Sequence, residues 1–187
     1  MVLLYTPDLE LGKNMPKFDL LGIDDSQWTL EKCMGENGLV VLFICNHCPY
    51  VKSIQTSLVS DAHLLNTMGV NVVAIMSNDV NDYPEDSFEN MKKVAVEKSY
   101  PFPYLIDSTQ IAAKSYGAVC TPDIFGLDKK GQLQYRGRLD SAGRDDNNQE
   151  LPRELVIAMK QLVDEGKITT QQIPSMGCSI KWIDEDS

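Results

Sequence analysis

The residues best suited to chemistry in this chain are two cysteines separated by two positions, Cys45 and Cys48. Two thiols at this spacing close a small disulfide ring with little movement of the backbone. A cysteine at the start of a helix also lies near unpaired N–H groups and the positive end of the helix dipole, which favour the nucleophilic thiolate. His47, between the two, would add positive charge when protonated and make the disulfide more oxidising. The pattern predicts thiol–disulfide chemistry, with Cys45 as the exposed, more acidic thiol at the helix start and Cys48 buried one turn inside.

The segments on either side of this pair indicate how a fold would hold it. Residues 39–44 are apolar throughout and rich in β-branched side chains, which predicts a strand buried on both faces of a sheet. Pro49 suits the first turn of a helix, and apolar side chains recur at helical spacing over residues 51–65. Residues 70–76 form a second apolar run. Strand, helix and strand together predict a βαβ unit with parallel strands.

A second motif, Thr121-Pro122, lies well downstream and opens a predicted β-hairpin over residues 123–139. We expect Pro122 to be cis and to lie beside the cysteines, because a cis proline leaves neighbouring backbone groups available to an extended substrate. Taken alone, the motif more often marks an ordinary proline at the start of a strand.

Asp79 follows the second apolar strand. The carboxyl ends of parallel strands meet at one edge of the sheet, so we expect Asp79 near the cysteines, as a base or to orient water. A solvated loop acid is the alternative interpretation.

The other three cysteines are expected to have packing roles. Cys33 and Cys120 are interpreted as small buried hydrophobic residues, although a thiol at position 120 could instead resolve a mixed disulfide. Cys178 lies with Trp182 in a tail that we expect to pack on the domain.

Length and composition bound the class of protein. The 187 residues fit one α/β domain, with a core at about 17–165 and a C-terminal tail over 166–187. A formal charge of -10, from 27 acids and 17 bases, argues against nucleic acid as a partner. The longest apolar run, residues 39–45, is too short to span a bilayer. The odd set of five cysteines and the lack of a signal-like N-terminus predict a reducing, cytoplasmic location.

The motifs also resemble a known family. The chain is similar to the thioredoxin-like superfamily and, more narrowly, to the peroxiredoxin-like redoxins of the AhpC/TSA type. The matching segments are residues 43–52, 77–79, 83–86, 120–123, 135–140 and 177–182. The resemblance implies a thioredoxin-like fold, with a central mixed β-sheet flanked by helices and with N-terminal and C-terminal extensions. It also implies a disulfide oxidoreductase without a cofactor.

The chain departs from the peroxiredoxin pattern P-x-x-x-T-x-x-C. Aligning Cys48 with the peroxidatic cysteine puts Cys45 at the Thr position and Val41 at the Pro position. Two groups that organise the peroxide in that family are therefore replaced. Arg136 and Arg138 follow the hairpin turn, and nothing in the sequence aims either at the thiols.

Three functions remain open at this point. In the first, Cys45 attacks a substrate disulfide and Cys48 resolves the mixed disulfide. In the second, an antioxidant function, peroxide oxidises Cys48 to a sulfenic acid that Cys45 resolves. In the third, Cys45, Cys48 and His47 bind copper or zinc, although a structural zinc site normally needs a second ligand pair. We favour the first, with no bound metal. Its expected partners are a disulfide-containing protein or small-thiol substrate and a reducing system such as thioredoxin reductase.

Overall fold

The computed structural model describes residues 3–7, 10–142 and 151–183. Its α-helices and β-strands, in chain order, are β1 (Leu3–Tyr5), β2 (Asp19–Gly22), β3 (Gln27–Thr29), α1 (Leu30–Cys33), β4 (Gly38–Phe43), α2 (Pro49–Thr67), β5 (Val70–Met76), α3 (Phe88–Glu97), β6 (Tyr104–Ile106), α4 (Ile111–Tyr116), β7 (Cys120–Thr121), β8 (Asp123–Asp128), β9 (Leu133–Arg136), α5 (Glu154–Glu165) and β10 (Met176–Ser179). A short 3-10 helix, Pro84–Asp86, lies between β5 and α3.

The main sheet is mixed and has seven strands in the order β3-β2-β6-β5-β4-β8-β9. Strands β4, β5 and β6 run parallel, while β8 pairs antiparallel with β4 and forms a hairpin with β9. The predicted βαβ unit is confirmed as β4, α2 and β5. The loop before α2 therefore lies at the carboxyl edge of the central strands, where side chains from several connections converge.

Two hydrophobic layers cover the two faces of this sheet. Every residue of β4 is buried, and its side chains alternate between the layers. Val40 and Leu42 pack with the buried face of α2, which includes Leu58, on one side. Leu39 and Val41 pack on the other side with residues of α4. This two-sided burial is why the sequence of β4 is apolar throughout.

A smaller sheet joins the two ends of the chain. Its three strands lie in the order β1-β10-β7, all antiparallel. Cys178 of β10 is opposite Leu3 on one side and Thr121 on the other. The predicted extensions therefore meet beside the start of the β8–β9 hairpin, and the tail packs on the domain as expected.

Among the helices of the described residues, none combines the length and the apolar composition needed to cross a membrane.

Candidate active site

The start of α2 fixes the position of the two cysteines. The helix begins at Pro49, and Cys48 is its N-cap residue with extended backbone angles, φ -64° and ψ 122°. The expectation that Cys45 begins the helix, with Cys48 one turn inside, is therefore wrong. One reason is local, since a residue that precedes proline disfavours the α conformation. The other is tertiary, because the Asp86 carboxylate binds the amide groups of Asn46 and His47 in a bend, at 2.8 and 3.2 Å.

Both thiols are buried against the Thr121–Pro122 segment. The Cys45 Sγ lies 3.4 Å from the Thr121 hydroxyl, and the Cys48 thiol donates to the Thr121 carbonyl at 3.1 Å. The Thr121–Pro122 peptide bond is cis, which confirms that expectation. Cys45 is 2% exposed and Cys48 0%, so the predicted difference in exposure is absent.

The environment of the pair makes Cys48 the more acidic thiol. The hydrogen bond with Cys45, helped by Thr121 and the Val51 amide, outweighs burial and lowers the pKa of Cys48 to about 5. The bond to Cys48, then burial and the nearby Asp86 charge, raise the pKa of Cys45 well above its usual value. These directions oppose the expectation that Cys45 is the more acidic thiol. The helix N-terminus stabilises a thiolate on the residue at the helix start, which is Cys48.

Asp86 is the main site residue that the sequence did not single out. It is 0% exposed, and it accepts hydrogen bonds from His47 Nδ1 at 2.7 Å and Asn78 Nδ2 at 2.8 Å. These bonds keep the pKa of Asp86 below its usual value although burial opposes them, and Asp86 raises the pKa of His47. The His47 ring stacks on Tyr83. The result is a buried ion pair, with His47 Nδ1 3.8 Å from the Cys45 sulfur.

Asp79 does not take the role expected of it. Its carboxylate accepts from the Asn81 amide at 2.9 Å, and its own amide donates to the Lys181 carbonyl. The correction has a simple cause, because Asp79 turns into the loop after β5 while its neighbour Asn78 bonds Asp86. The carboxylate at the cysteines comes instead from the 3-10 helix.

The two arginines after the hairpin are bound elsewhere. Arg136 donates to Asp123, with Nη2 at 2.9 Å, and to the Gly117 carbonyl. Arg138 forms an ion pair with Glu154 at 2.7 Å. These contacts aim neither guanidinium at the thiols.

A set of metal-ligating side chains overlaps the redox pair. Ligand atoms of Cys45, His47 and Asp86 all lie within 4.8 Å of one another. Thiolate, imidazole and carboxylate are ligands that zinc accepts. This set differs from the predicted one, because Asp86 joins it and Cys48 is next to it rather than within it.

Comparison with known proteins defines the class first. The chain superposes on a thioredoxin domain of a thiol-disulfide oxidoreductase from Bacteroides vulgatus with a TM-score of 0.60 and 17% identity, covering 75% of this chain and 95% of that one. The fold is therefore thioredoxin-like. The AhpC/TSA family matches residues 11–136, and the chain belongs to that family. Fold and family together point to a redox enzyme.

Two solved structures are similar over almost the whole length. An uncharacterized conserved protein from Geobacillus kaustophilus is 44% identical, with a TM-score of 0.93, over 99% of this chain and 98% of that chain. A hypothetical protein from Sinorhizobium meliloti is 34% identical, with a TM-score of 0.91, over 96% and 98%. Both similarities include the C-terminal region that lies beyond the family match. Among curated proteins, none matches the chain.

Proposed function

We propose that this protein is a dithiol–disulfide oxidoreductase in which Cys45 and Cys48 alternate between two thiols and one disulfide. The observation that carries the proposal is the close approach of both thiols to Thr121 at the start of α2, beside the cis Thr121–Pro122 bond. Two sulfurs held beside the same residue need little movement to become bonded. The charged His47–Asp86 pair beside them adds a polar, partly buried environment for proton transfer.

The reaction begins at Cys48, because its thiolate is the more stable of the two. The Cys48 thiolate attacks one sulfur of a substrate disulfide, a mixed disulfide forms, and the other substrate sulfur leaves as a thiolate. Cys45 then attacks Cys48 and its proton passes to the departing substrate sulfur. The substrate gains two electrons, its two sulfurs take one proton from Cys45 and one from water, and the protein is left with a Cys45–Cys48 disulfide. This order reverses the roles expected from the sequence.

The partners follow from this chemistry. We propose a disulfide-containing protein or a small disulfide as substrate, and a dithiol reducing system of the thioredoxin reductase type as electron donor. A reducing compartment such as the cytoplasm suits the resting state, in which the five cysteines are thiols.

The test is a stopped-flow reaction of the reduced protein with an oxidised protein disulfide. We expect Cys48→Ser to abolish disulfide reduction, and Cys45→Ser to form the mixed disulfide on Cys48 but no Cys45–Cys48 disulfide. Cys33→Ser is the matched control, because Cys33 is a buried thiol in the opposite hydrophobic layer. Wild-type protein that does not reduce the disulfide, or a Cys48→Ser variant that still does, would contradict the proposal.

Peroxide reduction is the second candidate, and the lowered pKa of Cys48 favours it. Peroxide would convert the Cys48 thiolate to a sulfenic acid and release an alcohol or water. Cys45 would then displace water from that sulfenic acid to give the disulfide. Polarising the O–O bond needs positive groups at the leaving oxygen, and Arg136 is held by Asp123. We therefore expect slow consumption of hydrogen peroxide; a rate far above that of an ordinary thiol, lost in Cys48→Ser and kept in Cys45→Ser, would make peroxidase the function.

Metal binding is the third candidate, and the Cys45, His47 and Asp86 group is the observation that favours it. A metal on Cys45 would compete with disulfide formation, because the sulfur cannot serve both. Equilibrium dialysis of the reduced protein against zinc or copper(I) tests this. Tight binding that is lost in Asp86→Asn and in the oxidised protein would favour a metal-binding module over the oxidoreductase.

A further inference from the structure

The C-terminal strand β10 brings another cysteine to the redox pair. Cys178 is directly opposite Thr121 in the antiparallel ladder between β10 and β7. Directly opposite residues place their side chains on the same face of a sheet, with Cβ atoms about 5 Å apart. The Thr121 hydroxyl on that face lies 3.4 Å from the Cys45 sulfur, and the Thr121 backbone carbonyl accepts from the Cys48 thiol. Register alone therefore places a third sulfur at the pair.

The contacts of Cys178 agree with this placement. Its thiol helps to lower the pKa of Cys48, and all three cysteines belong to the same buried cluster. Cys178 is 1% exposed, and β1 covers the outer edge of its strand. The strands are close at this point, because a Cβ on Gly177 would lie 2.0 Å from the Thr121 carbonyl oxygen. Cys48 is therefore a sulfur that Cys178 can reach within the fold.

We propose that Cys178 is a third redox-active thiol that forms an intramolecular disulfide with Cys48. The inference rests on the proposed function, because it starts from the Cys45–Cys48 disulfide or from a mixed disulfide on Cys48. In the first case, Cys178 loses its proton and attacks Cys48. The Cys48–Cys178 bond forms, the Cys45–Cys48 bond breaks, and Cys45 takes up the proton. The oxidation level is unchanged, and the oxidised protein exists as two disulfide isomers.

In the second case, Cys178 resolves the mixed disulfide in place of Cys45. Its sulfur bonds to Cys48, and the substrate sulfur leaves as a thiol with the proton that Cys178 gave up. The substrate again gains two electrons in total. The protein then carries a Cys48–Cys178 disulfide and retains a thiol at Cys45, so a thiol remains at the site after oxidation.

Cys120 is a matched control for this role. It neighbours Thr121 in β7, is 0% exposed, and its thiol donates to the Pro122 carbonyl at 3.7 Å. Because side chains alternate along a strand, Cys120 points to the face away from Cys178. Cys120 is thus as buried as Cys178, but its side chain points to the other face of the sheet.

The experiment uses Cys45→Ser, in which Cys45 can no longer attack Cys48. The reduced variant is mixed with glutathione disulfide, quenched in acid and analysed by intact mass and peptide mapping. We expect the mixed disulfide of Cys45→Ser to convert to a Cys48–Cys178 bridge. This conversion should be at least about tenfold faster than any loss of the mixed disulfide in Cys45→Ser/Cys178→Ser, because the attacking thiol is intramolecular. Cys45→Ser/Cys120→Ser should behave as Cys45→Ser. A mixed disulfide as long-lived as in the Cys178 double variant, or a bridge to Cys120, would overturn the inference.

A second oxidant distinguishes a failure of this inference from a failure of the proposed function. Diamide oxidises pairs of neighbouring thiols directly, so it needs no exchange with a substrate disulfide. A Cys48–Cys178 bridge with diamide, but no reaction of any variant with glutathione disulfide, would support the third thiol and contradict the proposed function. No Cys48–Cys178 bridge with either reagent would contradict the third thiol. In wild-type protein we expect mapping to find both Cys45–Cys48 and Cys48–Cys178 disulfides.

Discussion

Different neighbours set the reactivity of Cys48 and Cys45. Cys48 caps α2, where the Val51 amide and the Cys45 thiol stabilise its thiolate. Cys45 lies on the side of the Asp86 carboxylate, whose negative charge opposes ionisation. These directions favour a reduced pair with its proton on Cys45 and its negative charge on Cys48. A disulfide exchange enzyme needs this division, because one sulfur must attack while the other stays protonated until the second step.

The pH dependence of alkylation reports this division. We expect iodoacetamide to react with Cys48 in the reduced protein with a midpoint near pH 5 and a plateau by neutral pH, since its pKa is about 5. Burial raises the pKa of Cys33 to about 12, so that thiol should stay unlabelled over the same range. Peptide mapping after limited labelling identifies the modified residue. Labelling of Cys45 before Cys48, or a midpoint near the ordinary thiol pKa of 9.0, would return the nucleophile to Cys45.

The His47–Asp86 ion pair should stabilise the fold most in weakly acidic solution. The hydrogen bond to Asp86 raises the pKa of His47 above 6.5, so its contribution is complete below that pH and is lost as pH rises through the folded value. Hydrogen bonds from His47 and Asn78, acting against burial, lower the pKa of Asp86 from 3.8, so its contribution is present above that value and is lost on further acidification. We expect His47→Gln to cost more in the free energy of unfolding at pH 5.5 than at pH 9, by about 1 kcal/mol. Urea unfolding at both pH values measures this, and an equal cost would contradict it.

At the scale of the elements, the sequence predicts the central unit well and the start of its helix poorly. The apolar runs of β4 and β5 and the helical spacing between them determine a buried βαβ unit, and these are local patterns. The true start of α2 was also readable, because Cys48 precedes Pro49 and the position before proline resists helical angles. The prediction instead puts Cys45 at the helix start, because a helix N-terminus stabilises a thiolate. The helix begins one turn later, at Pro49.

Other parts of the site depend on contacts between distant segments, which no local pattern encodes. Asp86 follows Asn46 by 40 residues, and only the fold brings its carboxylate to the bend before α2. Strand β10 reads Met-Gly-Cys-Ser, which has neither alternation nor β-branched residues. It is a strand because β1 and β7 supply backbone partners on both sides. The sequence favours Asp79 because it is the first carboxylate after β5.

A buried carboxylate lies between α2 and α5, and its charge state affects the stability of the fold there. Asp61 of α2 is 1% exposed and lies 3.1 Å from Arg153 Nε, at the start of α5. Burial raises the pKa of Asp61 from 3.8 to about 7, against the Arg153 charge. For an acid whose folded pKa is raised, the penalty grows as pH rises from 3.8 and is complete above 7.

We therefore expect Asp61→Asn to be more favourable for stability at pH 8 than at pH 4.5, by about 1–3 kcal/mol, since it removes a buried charge only where that charge exists. Chemical unfolding curves at the two pH values provide the measurement. Glu165→Gln is the control, because Glu165 is exposed at the end of α5. A change of stability that is equal at both pH values would show that Asp61 is already neutral or fully compensated by Arg153.

At the scale of the whole molecule, the second sheet couples the ends of the chain to the redox pair. Strand β7 belongs to that sheet, and Thr121 at its end contacts both thiols. Strand β10 is held against β7, and the Ser175 hydroxyl before it donates to the Pro122 carbonyl at 2.7 Å. A shift of β10 must therefore move the carbonyl that accepts from Cys48. Stability of the extension and reactivity of the site are expected to change together.

Gly177→Ala separates this coupling from simple loss of stability. A Cβ at Gly177 would lie 2.0 Å from the Thr121 carbonyl oxygen, so β10 and β7 must part, at a cost of about 2 kcal/mol or more. We expect faster alkylation of Cys48 at neutral pH as well as a lower free energy of unfolding. Gly131→Ala is the control, because its Cβ would meet nothing within 4 Å and it costs only backbone strain at φ +77°, about 1 kcal/mol, in a turn far from the thiols. If both variants lose stability and neither changes the rate at Cys48, the C-terminal strand supports the fold without controlling the thiols.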